Sequence, residues 1–275
     1  MMRRTLLSFC FIVFSSPALF AADNYPAGAR SIGLANSSVT VADCWSAFHN
    51  QAALAWIDQI SVGASYDDRF TIANLSTKGF TFALPLKAGT FALSGDVFGY
   101  SQYNEKKAGI AFAKKLGEKF SAGVQLDYLN TFINDAYYGS HTAFAVEAGL
   151  LAEPLKNFRI GFHVYNLSGA KLAQYANEKI PTIFRLGASY RFAEKLSWSV
   201  EEEKDIAMKA VFKSGLEYHV VDALYLRGGL ATNPSLFSFG FGLKMGSLLL
   251  DIASSYHQVL GFSPAISLTY SFGKK

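Results

Sequence analysis

From Gln59 to Phe272 apolar residues recur at every second position, and that period decides most of what this chain can fold into. A helix face repeats about every 3.6 residues, whereas a strand turns alternate side chains to opposite faces. Phe158, Ile160, Phe162 and Val164 alternate with Arg159, Gly161, His163 and Tyr165. Leu196, Trp198 and Val200 alternate with Ser197, Ser199 and Glu201. Phe237, Phe239, Phe241 and Leu243 alternate with Ser238, Gly240, Gly242 and Lys244. Pro264, Ile266, Leu268, Tyr270 and Phe272 alternate with Ala265, Ser267, Thr269 and Ser271. One face is apolar and the other is small or polar. A soluble sandwich shows the same pattern, so alternation gives strands but not yet their arrangement.

The connections carry the arrangement. Tight turns fall at Lys87-Ala88-Gly89, Gly117-Glu118-Lys119, Leu155-Lys156-Asn157, Ala193-Glu194-Lys195, Val221-Asp222-Ala223 and Met245-Gly246-Ser247. They take every second connection. Between them lie mostly longer stretches, near 67–76, 131–140, 167–181, 232–236 and 258–261, with short ones near Asn104 and Asp205. Tight turns on one rim and longer loops on the other are the pattern of a membrane barrel, whose tight turns face the periplasm. Strands are predicted to start near 59, 78, 90, 105, 120, 141, 158, 182, 196, 208, 224, 237, 247 and 262. The expected fold is therefore all-β: a transmembrane antiparallel barrel of about 14 strands, both ends on the periplasmic side. Composition agrees, since 51% of residues are hydrophobic and 15% aromatic. Phe91, Phe120, Phe158, Phe192 and Trp198 flank the tight turns. Tyr66, Phe70, Tyr100, Tyr103, Tyr165, Tyr256 and Phe262 flank the other loops, so the pattern predicts two interfacial belts.

The N-terminus reads as an export leader over residues 1–21. Arg3 and Arg4 form its basic start, Thr5 to Phe14 its apolar core, and Ala21-Ala22 its cleavage point. Cys10 follows Phe9, where a lipid-modified cysteine would need a small residue before it. Losing Arg3 and Arg4 lowers the formal net charge from +4 to +2, which gives no footing for a nucleic-acid partner. Cys44 is then the remaining cysteine, so neither an intrachain disulfide nor a CxxC site is expected. No later apolar run reaches the ~18 residues of a membrane helix. An exported strand-rich chain of this kind is expected in the outer membrane of a Gram-negative bacterium, in contact with outer-membrane lipid and lipopolysaccharide.

The polar face carries both signs of charge: Asp96, Asp127, Glu147, Arg159, Arg185, Arg191, Glu201, Lys213, Glu217, Arg227 and Asp251. A charge on the lipid face costs about 2–4 kcal/mol near the midplane, so alternation with Phe and Leu places these inside. The expected role is a paired network holding wall and interior together, ahead of a selectivity track or a catalytic site. His49, His141, His163, His219 and His257 sit in no nucleophile motif, and GxSxG, HExxH, EF-hand and phosphate-loop patterns are absent. An enzyme, a metal centre and a cofactor are not expected.

Residues 22–58 do not alternate. The run Ala27-Gly28-Ala29-Arg30-Ser31-Ile32-Gly33-Leu34 leads to Val39-Thr40-Val41-Ala42-Asp43 and then to Asn50-Gln51-Ala52-Ala53-Leu54-Ala55. Gly28 and Gly33 would allow sharp bends, Asp43 could cap a short helical turn, and Gln51 to Ala55 could form another. This stretch resembles the N-terminus of FadL-like barrels, and most closely the PorV/PorQ branch of the Bacteroidetes. Gly28, Arg30, Gly33, Asp43, Asn50, Ala52, Leu54 and Ala55 carry the likeness. Ala35, Asn36, Gln51 and Ala53 depart from it. The resemblance implies a plug over 22–58 inside a barrel over 59–275, with Asn50 helping to anchor it. It also implies one of two roles. PorV/PorQ-type barrels serve type IX secretion and surface display through secretion-system or cargo proteins, while FadL-type members pass hydrophobic small molecules. The short polar loops favour the first role. A general porin is a third alternative, opposed by a plug and a charge-paired lumen.

Overall fold

The structure, a computed structural model, describes residues 24, 26–135, 139–171 and 180–273. The expected leader over 1–21 lies outside these residues, as does most of the longest expected loop. The strands are β1 (Ile60–Asp68), β2 (Ser76–Leu86), β3 (Gly89–Gly99), β4 (Tyr103–Lys115), β5 (Phe120–Ile133), β6 (Gly139–Leu155) and β7 (Phe158–Tyr165). They continue as β8 (Ile183–Phe192), β9 (Leu196–Asp205), β10 (Val211–Val221), β11 (Leu224–Ala231), β12 (Leu236–Met245), β13 (Leu248–His257) and β14 (Gly261–Phe272). Each strand pairs antiparallel with its neighbours, and β14 returns to β1 from Ile60↔Phe272 to Asp67↔Ala265. The result is a closed fourteen-strand barrel. Closure leaves no strand edge with unpaired backbone groups, which a hydrocarbon surrounding could not satisfy.

The predicted tight turns all fall on one rim. Asn157 and Gly246 supply left-handed backbone there, with φ of 66° and 62°. That conformation suits the twist of a two-residue hairpin, and asparagine and glycine adopt it at least cost. On the opposite rim β4, β5 and β6 run further than their neighbours. Their pairing continues to Tyr103↔Ile133 and Ile133↔Gly139, while β6 meets β7 only from Ala148↔Val164.

Alternation sorts the wall as expected. Phe237, Phe239 and Phe241 are exposed on the outer face, and Ser238, Gly240 and Gly242 turn inward between them. Two aromatics depart from the expected belts. Tyr165 is buried on the inward face, and Tyr103 shares the inward face of Glu105, to which its hydroxyl is bonded. Both end strands beside loops, but parity in the strand outranks position along it.

Residues 26–58 form α1 (Ala29–Gly33), α2 (Ser46–His49) and a 3-10 turn over Gln51–Trp56. They lie against inward-facing groups on widely separated strands. The Ala29 N–H donates to Ser267 Oγ on β14 at 3.0 Å, and Trp45 Nε1 donates to Thr269 Oγ1 at 3.1 Å. Thr81 Oγ1 on β2 donates to the Cys44 carbonyl at 2.8 Å, and Trp56 Nε1 donates to Ser121 Oγ on β5 at 2.8 Å. Ala47, Phe48, Ala52 and Leu54 are fully buried. One local expectation needs correction. Gly28 does bend the chain, with φ of 91°, but Gly33 lies inside α1. Its lack of a side chain instead lets α1 approach Arg227 and Ala253. Asp43 does cap the short turn that leads into α2: its carboxylate takes the Trp45 N–H, its carbonyl takes the Ser46 N–H, and it also holds the Arg30 guanidinium.

Candidate functional site

The polar interior is the candidate site, and its charges divide into separate clusters. In the first, Lys107 of β4 is bonded to Glu147 Oε1 and lies 3.6 Å from Asp127 Oδ2. Glu147 Oε2 also meets His163 Nε2 at 2.8 Å and accepts from Gln51 Nε2 at 2.6 Å, so one carboxylate joins wall to N-terminal segment. Asp96 lies beside this group, lining the same small cavity as Lys107.

The second cluster joins β8, β9 and β10. Arg185 Nε donates to Glu203 Oε2 at 2.7 Å, and Lys213 Nζ reaches Glu203 at 2.8 Å and Glu201 Oε1 at 3.2 Å. The other oxygen of Glu201 accepts the backbone N–H groups of Ser38 and Val39, both at 2.8 Å. Adjacent N–H groups converging on a carboxylate form an anion nest. Ser37 Oγ bonds Ser199 Oγ at 2.7 Å beside it.

The third cluster alternates in sign. Arg30 bridges Asp43 and Glu217, and Glu217 in turn holds Arg227 at 2.7 Å, whose Nη1 reaches Asp251 at 2.7 Å. Burial opposes charge on Arg30, but Glu217 and Asp43 outweigh it and hold the guanidinium above its ordinary pKa. Arg159 pairs with Glu153 at 2.9 Å and stacks over Trp56 at 5.1 Å. Arg191 is exposed and lines the same cavity as Arg159 and Glu153.

Of the residues singled out from the sequence, Arg30, Asp43, Asn50, Ala52 and Leu54 thus meet the wall or the core of the segment. Asn50 donates to the Leu150 carbonyl at 3.0 Å and the Val39 carbonyl at 2.8 Å. Sequence reasoning missed Lys107, because the Lys106-Lys107 doublet gives no parity by itself. The small residues at Gly109, Ala111 and Ala113 carry the signal that would have placed it inward. Alternation put Gly161 on the small or polar face, but it did not show what the inward glycines make room for. A Cβ on Gly123 would fall 2.5 Å from the Gln51 carbonyl carbon, and one on Gly161 would fall 2.5 Å from the Val39 oxygen. One on Gly229 would fall 2.6 Å from the Leu34 carbonyl carbon, and one on Gly149 would collide with Asn50 Oδ1. The absent side chains make room for the backbone of residues 34–52.

Cys44 and His49 are buried in that segment. Burial, with Asp43 nearby, pushes the Cys44 thiol up, so it stays protonated and inert. Burial and then Arg185 hold His49 well below the ordinary histidine range, so its ring is neutral.

Two cavities flank the strap Leu34–Val39. On the longer-loop rim one of about 670 Å³ opens among Ile183, Val211, Ala231 and Leu236, with Ala35 and Asn36 beneath. Toward the tight-turn rim a smaller one of about 120 Å³ is lined by Arg30, Leu34, Thr40, Arg159, Ser199 and Glu217. Ala35 and Asn36 hold left-handed backbone in succession, with φ of 51° and 60°. Such backbone costs roughly 1–3 kcal/mol per non-glycine residue and persists only where surroundings enforce it.

No protein-family model and no curated protein matches this chain. Solved structures do. The Pseudomonas putida toluene transporter TodX superposes with a TM-score of 0.71 at 13% identity, covering 92% of this chain and 98% of that one. The Ralstonia pickettii toluene transporter TbuX gives 0.65 at 14% identity, covering 90% and 98%. A Pseudomonas aeruginosa FadL homologue gives 0.61 at 15% identity, covering 89% and 98%. At these identities the likeness is one of fold: a closed fourteen-strand barrel of the FadL-like kind.

Proposed function

We propose that this barrel is a Gram-negative outer-membrane channel for passive passage of small hydrophobic or amphipathic molecules, with residues 24–58 as its plug. The observation that carries the reading is the pair of cavities on opposite sides of a strained, latched strap. A molecule would enter from the longer-loop rim, displace Leu34–Val39 and leave toward the tight-turn rim. Pairing between every neighbouring strand supports passage along the axis. The apolar outer face fits a surrounding of outer-membrane lipid and lipopolysaccharide.

Passage of this kind needs no covalent chemistry. The charges hold the plug to the wall through charge-assisted bonds, which are short and directional. Glu201 holds the strap by its Ser38 and Val39 N–H groups, so releasing that latch is the step passage requires.

The PorV/PorQ-type reading, with type IX secretion partners or surface cargo, rests on the motif from Gly28 to Ala55. Two of the matched structures, TodX and TbuX, are described as toluene transporters, so conduction takes first place. Uptake of labelled hydrophobic compounds by a deletion strain and its complemented parent separates the readings. Slower uptake in the deletion supports the channel. Equal uptake with altered surface proteins supports secretion and overturns the channel.

A further inference from the structure

The rim-side cavity has a composition that selects among ligands, beyond the general channel reading on which this inference rests. Its volume of about 670 Å³ lies in the range of sites for drug-sized molecules and is large for a single aromatic ring. Ile183, Met208, Val211, Ala231, Pro234 and Leu236 make its apolar side.

Lys213, the cation at its floor, is already used. Lys213 spends its three N–H groups on Glu201, Glu203 and the Asn36 carbonyl. Glu203 Oε2 takes both Arg185 and Lys213. Glu201, Glu203, Arg185 and Lys213 therefore form a neutral set. Asp205 Oδ1 closes its own turn on the Ala207 N–H, and Lys209 balances it in charge at the exposed mouth.

A ligand carboxylate placed at the floor would meet the carboxylate of Glu203 without a spare ammonium N–H from Lys213. A ligand ammonium would lie beside Lys213 but could pair with the remaining oxygen of Glu203. Desolvating a ligand carboxylate without a partner is costly. A hydroxyl group faces no such repulsion, and it can donate to the remaining oxygen of Glu203 or bond the Asn36 side chain. We propose that the cavity is a binding site for amphiphiles with an apolar body and a hydroxyl end, and that it discriminates against carboxylates of the same body.

The chain offers a direct probe. Its four methionines are Met1, Met2, Met208 and Met245. Met208 lines the cavity, while Met245 is exposed on the outer face by a tight turn. The experiment uses the exported barrel in lipid nanodiscs with methyl-labelled methionine, titrated with decanol, decanoate and decane. Decanol should shift the Met208 signal saturably with Met245 as the still reference. Decanoate and decane should need at least tenfold higher concentration. Ala231→Trp, which fills the cavity, should weaken decanol at least tenfold while the barrel keeps its folded gel mobility. Equal or tighter binding of decanoate or of decane overturns the proposal, as does an unmoved Met208. If Met208 titrates but the deletion strain takes up compounds normally, the site stands and the channel reading falls. If uptake depends on the barrel but Met208 prefers decanoate, the channel stands and the ligand class falls.

Discussion

Arg30 and Glu217 meet in a two-pronged ion pair, Nε to Oε2 at 2.9 Å and Nη2 to Oε1 at 2.8 Å. It is the firmest tie between the N-terminal segment and β10, because both prongs carry charge and their geometry is fixed. Glu217→Ala removes the carboxylate that Arg30 and Arg227 share, leaves them only Asp43 and Asp251, and should be costly. Arg30→Ala keeps the Glu217–Arg227 pair and should cost less than the about 3–5 kcal/mol typical of breaking a buried pair. The double variant should lose less than the sum of the two, as read from guanidinium unfolding midpoints. Additive losses would mean that the pair does not couple segment to wall.

Glu201→Ala removes the acceptor of the Ser38 and Val39 N–H groups and leaves Lys213 with one carboxylate. If the strap closes the lumen, single-barrel conductance in planar bilayers should rise from near baseline to frequent openings. A baseline matching the parent would show that the strap is held without Glu201.

Gly149→Val puts a side chain where Asn50 sits. The N-terminal segment should lose its seat, and the buried Cys44 thiol should become open to alkylation in the folded barrel. Gly95→Ala is the control, since its Cβ would only touch the Lys107 carbonyl at 3.4 Å. Equal Cys44 protection in the two variants would refute the crowding argument.

His49 is held neutral when folded and protonates below its ordinary value of 6.5 when released. Its folded pKa is lowered, so the unfolded chain binds the extra proton as pH falls. Stability should be flat above that value and decline below it by at most about 1.4 kcal/mol per pH unit from this group. Unfolding midpoints between pH 7.5 and 5 measure the slope, and His49→Asn should reduce it. An unchanged slope would assign the decline to other groups.

Phe241 lies mid-strand on the outer face of β12. Phe241→Arg should destabilise the barrel in lipid vesicles by about 2–4 kcal/mol, the cost of a cation near the bilayer midplane. A near-zero cost in vesicles would argue against membrane burial of this face.

The wall was legible from the sequence because a strand has a period of two and a closed sheet repeats it. The predicted starts at 120, 158, 196 and 224 coincide with β5, β7, β9 and β11. The start of β10 differs, at Val211 rather than near 208, since Met208 to Ala210 belong to the loop beside the cavity. The charges were legible as inward, but their partners were not. Parity fixes which face a residue takes. It does not say that Glu147 would meet both Gln51 and His163, which lie on different elements.

The sequence by itself determined strand parity, turn placement, the apolar outer face and the mixed-charge inner one. Each follows from neighbours within a few residues of one another. Only the tertiary structure decided where the non-alternating segment rests and which glycines admit it. It also decided how the charges close upon themselves to leave a neutral cavity. These depend on closure, which brings Ala29 to Ser267 and Ser38 to Glu201 across most of the chain. A period along one strand holds no information about what faces it across the lumen.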